Sequence, residues 1–190
     1  MMIKRVSIYL DFDNIRNGYA KVQKGQRNSQ ALKTHLPIAD LKNLNENLIK
    51  ELSAFYVKSS EFYANVAFEL VDTWSIIPLL DASVNKSGSY KFYKKISEVD
   101  DYFKMNLDEM YRGADLKEVG VDTWLITKML KYRSLSDITV ICSDDDDFAY
   151  AAAALIRHGQ DCIHVGYQDG LLREECNGYL DLMETQIFSK

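Results

Sequence analysis

Three groups of carboxylates stand out by where they fall along the chain. Asp11-Phe-Asp13-Asn14 directly follows one apolar run, Ser143-Asp-Asp-Asp-Asp147 directly follows another, and Asp122 opens a helix-compatible segment. Carboxylates gathered at neighbouring strand ends repel one another, at a cost on the order of several kcal/mol in a low-dielectric cleft. A hard divalent cation relieves that repulsion, because Mg²⁺ and Mn²⁺ prefer carboxylate and water oxygens. The pattern predicts a metal cup of Asp11, Asp122, Asp145 and Asp147, with Asn14 orienting a ligand or water and Ser143 bridging the turn or holding a water. The competing expectation is that Asp122 and Asp147 are first-turn acids that complement a helix dipole, worth ~0.3–1 kcal/mol each. Asp13, Asp144 and Asp146 are expected to be solvated.

The elements that would position these acids follow from the apolar pattern. Val6–Leu10 and Ile138–Cys142 are compact apolar runs that predict buried strands, and Cys162–Val165 predicts another. Leu41, Leu44, Leu48 and Leu52 recur at helical offsets behind a capping Asp40. Val121–Tyr132 is helix-compatible, and the alanine-rich stretch from Phe148 to Arg157 predicts a helix closed by Gly159. Glu61–Phe68 and Tyr90–Ile96 are expected to be strands, 98–120 a loop with a short helix, and 171–188 a helical tail. Val71–Leu80 is apolar on several sides, with Pro78 barring a long helix. Strands alternating with helices imply parallel units in an open sheet covered on both faces, a three-layer α/β/α arrangement. In such sheets ligands bind beyond the C-terminal strand ends, where both acidic turns fall.

The wider composition narrows the function class. A chain of 190 residues, 47% hydrophobic and 27% charged, supports one sizeable core, so residues 1–190 are expected to form a single domain. No uncharged apolar run approaches the ~20 residues that span a bilayer, and the N-terminus reads as a first strand, not a secretion signal. Cys142, Cys162 and Cys176 form no C-x-x-C pair, and an odd cysteine count suits a reducing, cytoplasmic compartment. His35, His158 and His164 lack the helical pairing of zinc hydrolases.

The net charge of −5 conceals a segregation. Residues 16–35 carry Arg16, Lys21, Lys24, Arg27 and Lys33 with no acid, and residues 82–97 carry Lys86, Lys91, Lys94 and Lys95 with none. Two such stretches suit contact with phosphates, and solvated loops are the plainer alternative.

These residues resemble the NYN domains, a branch of the PIN-like nucleases. Val6–Ile15, with Leu-Asp11-Phe-Asp-Asn14-Ile, is similar to the family's first motif, Gly120-Val-Asp122 to the second, and Ile141-Cys-Ser143-Asp-Asp145-Asp-Asp147-Phe148 to the third. The likeness spans most of the chain, with an unmatched, insertion-like segment at about 82–115. It implies a PIN-like fold and a ribonuclease dependent on Mg²⁺ or Mn²⁺, with Asp11, Asp122, Asp145 and Asp147 as the catalytic acids and Asn14 and Ser143 supporting them. The implied partner is single-stranded RNA, held by Arg16, Lys21, Lys24, Arg27, Lys91, Lys94, Lys95 and Lys128, with Tyr90, Phe92 and Tyr93 available to stack on bases. The basic strand near Tyr90 would serve as a sheet edge or as the interface of a homo-oligomer.

Three positions depart from the family pattern. Asp144 stands where the third motif has glycine, Lys117 lies five residues before Asp122 where the family's lysine lies three before, and Lys128 replaces an acid. These departures define one alternative, a weakly active or inactive RNA-binding module. Another is a haloacid-dehalogenase-like phosphatase, with Asp11 as nucleophile and Asp13 as acid/base.

Overall fold

In the first strand, successive side chains go to opposite sides and both sides are buried. Val6, Ile8 and Leu10 join one apolar cluster while Tyr9 joins a second. Burial on both faces is the mark of a central parallel strand, and it sets the architecture. The computed structural model describes residues 2–12, 14, 15, 18, 43–78, 105–110, 121–167, 169–185 and 187.

The strands are β1 (Met2–Leu10), β2 (Val66–Pro78), β3 (Met105–Met110), β4 (Ile138–Cys142), β5 (Asp161–Gly166) and β6 (Gly178–Asp181). They form one sheet in the order β3-β2-β1-β4-β5-β6, and every pair is parallel. Among the described residues, the helices include α1 (Leu44–Ser59), α2 (Val121–Tyr132), α3 (Ala149–Arg157) and α4 (Leu171–Glu175). On one face α1 buries Leu44, Leu48, Leu52 and Tyr56 against Val6, Ile8, Leu10, Val140, Cys142 and Val165. On the other, Leu125 and Met129 of α2 and Ala151, Ala152 and Leu155 of α3 cover Tyr9, Ile141 and Cys162. The result is the expected three-layer α/β/α fold.

The leucine spacing expected of the first helix is seen in α1, although Asp40 and Leu41 lie outside the described residues. Gly159 ends α3 with φ +84, a conformation that suits a residue without Cβ. Three expectations are corrected. Residues 61–65 make a 3-10 turn, capped by the Ser60 hydroxyl, and the strand runs instead from Val66 to Pro78. Its β-branched and aromatic residues suit a paired strand, and Pro78, the last residue, ends it. Met105–Met110, expected within a loop, is a strand because β2 offers it a pairing edge. The tail is not one helix. After α4, Asn177 exchanges hydrogen bonds with Cys162, its N–H donating to Cys162 O and its Oδ1 accepting the Cys162 N–H (both 2.8 Å), and this leads the chain into β6. The strand expected at Tyr90–Ile96 lies outside the described residues.

Among the described residues, no helix is long and apolar enough to cross a membrane.

Candidate metal centre

β1 and β4 are neighbours, and Leu10 lies opposite Cys142. The two acidic turns therefore leave adjacent strands at the same end of the sheet. The Asp11 N–H continues the ladder by donating to Cys142 O at 3.0 Å. Ser143 then bridges the turns: its hydroxyl donates to Asp11 Oδ2 (3.0 Å) and accepts the Asp145 N–H (3.1 Å). Asn14 closes a second link, with its N–H on Asp11 Oδ1 (3.1 Å) and its Oδ1 accepting the Asp144 N–H (2.8 Å).

Asp122 arrives from a third element, the first turn of α2. One carboxylate oxygen from each of Asp122, Asp145 and Asp147 lies within 4.8 Å of the others. Asp145 also caps the 3-10 turn Asp146–Phe148, where its Oδ1 accepts the Asp147 N–H at 2.9 Å. Capping and convergence coexist here, because the cap uses one of two carboxylate oxygens. Burial, and then the charges of Asp145 and Asp147, push the Asp122 carboxyl above the ordinary carboxylate range. An all-carboxylate donor set of this spacing fits a hard cation such as Mg²⁺ or Mn²⁺.

Asp11 does not belong to that convergent trio. It is buried, and its two oxygens accept from Asn14 and Ser143. Its link to the trio is the Ser143 hydroxyl, which joins Asp11 Oδ2 to the Asp145 N–H. Asp144, expected to be solvated, instead has a side chain only 6% exposed, with its Oδ1 accepting the Tyr167 N–H at 2.8 Å. Asp146 is exposed as expected but also accepts the Leu172 N–H, at 2.9 Å.

Lys128 is partly buried, and its ammonium lies over the rings of Trp124 (4.3 Å), Trp74 (4.5 Å) and Tyr132 (5.8 Å). Trp74 stacks on Tyr132 at 5.0 Å. Such contacts stabilise a cation by about 0.5–2 kcal/mol. The i, i+4 spacing of Trp124, Lys128 and Tyr132 carries this signal in the sequence; the contribution of Trp74 from β2 does not show there. Arg16, Lys21, Lys24, Arg27, Lys91, Lys94 and Lys95 lie outside the described residues, as do Asp13, Lys117 and the aromatics at 90, 92 and 93.

Sequence reasoning missed His164. It is 1% exposed, and its Nε2 lies 2.7 Å from Ser143 O. Its apolar neighbours in β5 mark the strand but not the side chain's partner, which lies just beyond β4.

No protein-family model matches the chain, and no characterised protein matches its sequence. Among solved structures it is similar to the crystal structure of a protein of unknown function from Vibrio parahaemolyticus. The TM-score is 0.53 at 13% identity, over 94% of this chain and 93% of that one. At this identity the likeness is one of fold. The class defined by fold and neighbour together is a three-layer α/β/α protein with a parallel sheet.

Proposed function

We propose that this chain is a Mg²⁺- or Mn²⁺-dependent ribonuclease that hydrolyses phosphodiester bonds at the C-terminal end of its sheet. The observation that carries the reading is the convergence of Asp122, Asp145 and Asp147 from two separate segments. The resemblance of the three acidic segments to NYN motifs supports it from the sequence side. In this reading the trio holds the ion, and Ser143, itself held by Asp11, fixes the Asp145 backbone. A divalent ion would supply charge neutralisation at the scissile phosphate and acidify an attacking water. Asn14 aligns the two turns. A nucleophilic Asp11, as in a phosphatase, is poorly served by its burial and by the two hydrogen bonds its oxygens already accept.

One feature favours an RNA-binding module without turnover: Lys128 places a cation among aromatic rings where the resembling motif has an acid. The two readings separate in one experiment. Purified protein with Mn²⁺ or Mg²⁺ is expected to cleave labelled single-stranded RNA, and Asp145→Asn to abolish cleavage with the circular dichroism spectrum unchanged. Metal-independent RNA binding without cleavage selects the binding module. Phosphate release from small phosphomonoesters, lost in Asp11→Asn, selects the phosphatase.

A further inference from the structure

In the turn over residues 143–147, the Asp144 side chain is only 6% exposed. The partners of Asp144 come from the ends of the two strands, β1 and β5, that flank its own β4. The backbone N–H donates to Asn14 Oδ1, beyond β1 (2.8 Å), and the carboxylate Oδ1 accepts the Tyr167 N–H, beyond β5 (2.8 Å). The same oxygen lies 3.6 Å from His164 Nε2, which stands 2.7 Å from Ser143 O. A carbonyl oxygen only accepts, so Nε2 is the donor in that bond. A Cβ on Gly166 would run into both Asp144 Oδ1 and His164 Nε2, so this meeting requires a bare backbone there.

Backbone groups on both sides of Asp144 are tied as well. The Ser143 carbonyl is held by His164, the Asp144 N–H by Asn14, and the Asp145 N–H by the Ser143 hydroxyl. The turn that carries Asp145 and Asp147 is therefore fixed at successive peptide units. The trio works against this anchoring, because three neighbouring carboxylates push one another apart whenever no cation sits between them. A small octahedral cation demands narrow donor geometry, and groups behind the ligands commonly govern affinity by about 10–100-fold.

We propose that Asp144 is a positioning residue of the metal centre: its carboxylate moors the acidic turn after β4 to the end of β5 and so sets the spacing of Asp145 and Asp147 against Asp122. It does not ligate the ion. The inference rests on the metal-dependent reading above and adds a residue to it.

The test is Mn²⁺ binding by the full chain, measured by calorimetry alongside thermal melts and RNA cleavage. Asp144→Ala is expected to weaken Mn²⁺ binding by at least about tenfold and to lower kcat while KM for RNA holds. Asp144→Asn keeps an acceptor for the Tyr167 N–H and is expected to stay within about threefold of the wild type. Asp144→Ser, too short to reach that N–H, should follow the alanine variant and serves if the latter does not fold. Wild-type Mn²⁺ affinity in Asp144→Ala or Asp144→Ser overturns the proposal even if the melting temperature falls, since the role is then structural only. Equal losses in Asp144→Asn and Asp144→Ala overturn it too, because they mark the charge itself as the ligand. Should the wild type bind no Mn²⁺, the metal-dependent reading falls and takes this inference with it. A failure confined to the Asp144 variants leaves that reading standing.

Discussion

At Asp122, burial and two neighbouring charges act in the same direction, and both make the ionised form costly. Between its unfolded and folded titration the native state holds more protons than the unfolded one, so stability falls as pH rises through that window. Above the folded value the penalty is complete. Asp122→Asn is therefore expected to raise the melting temperature of the metal-free chain at pH 7. The gain at this partly exposed site is ~0.5 kcal/mol after solvent screening, or about 1–2 °C for a chain this long. A lower melting temperature would show that the charge serves the helix dipole more than it suffers from its neighbours. Residue type and position made Asp122, Asp145 and Asp147 legible in the sequence, because each follows a strand or opens a helix. Asp144 was not legible: nothing local distinguishes it from Asp146, and the difference lies in Tyr167 and His164, which arrive from another strand.

Elements were legible where a segment carries its own pattern and obscure where a neighbour decides. β1 and β4 announce themselves as compact apolar runs buried on both faces, and α2 and α3 by the apolar face each turns to the sheet. β3 carries only a brief alternation and becomes a strand by pairing with β2, and β6 depends on Asn177 docking against β5. Between elements, β1 is fastened to the lead-in of β4 by Arg5 and Asp137. Asp137 Oδ2 accepts the Arg5 N–H at 2.8 Å, and the guanidinium reaches Oδ1 at 3.2 Å. The Arg5 hydrogen bond, opposed only in part by burial, holds the Asp137 carboxyl below its usual range. A depressed carboxyl stabilises the fold fully above its unfolded pKa of ~3.9 and loses that contribution as pH falls through the folded value. The urea midpoint of Asp137→Asn should thus lie below wild type at pH 7 and converge with it in acid. A gap that persists unchanged at low pH would assign the effect to packing instead.

For the molecule as a whole, the parallel sheet brings to one end acids that the chain order keeps far apart, and a bound cation should be felt as global stability. With Mn²⁺ at a hundred times its dissociation constant, linkage adds ~2.7 kcal/mol, which is about 5–10 °C in melting temperature. Asp145→Asn is expected to remove that gain, and a wild-type melting curve indifferent to Mn²⁺ would sink the metal centre. The layered α/β/α plan was legible because strands and helices alternate along much of the chain. The strand order was not, since it depends on which edges pair.

Burial in the two apolar layers has a practical corollary for Cys142 and Cys162. Desolvation pushes both thiols far above their ordinary range, and only the thiolate reacts readily with alkylating reagents. The protein thus carries its own pair of silent reporters, whose modification tracks how often the sheet parts from its helices.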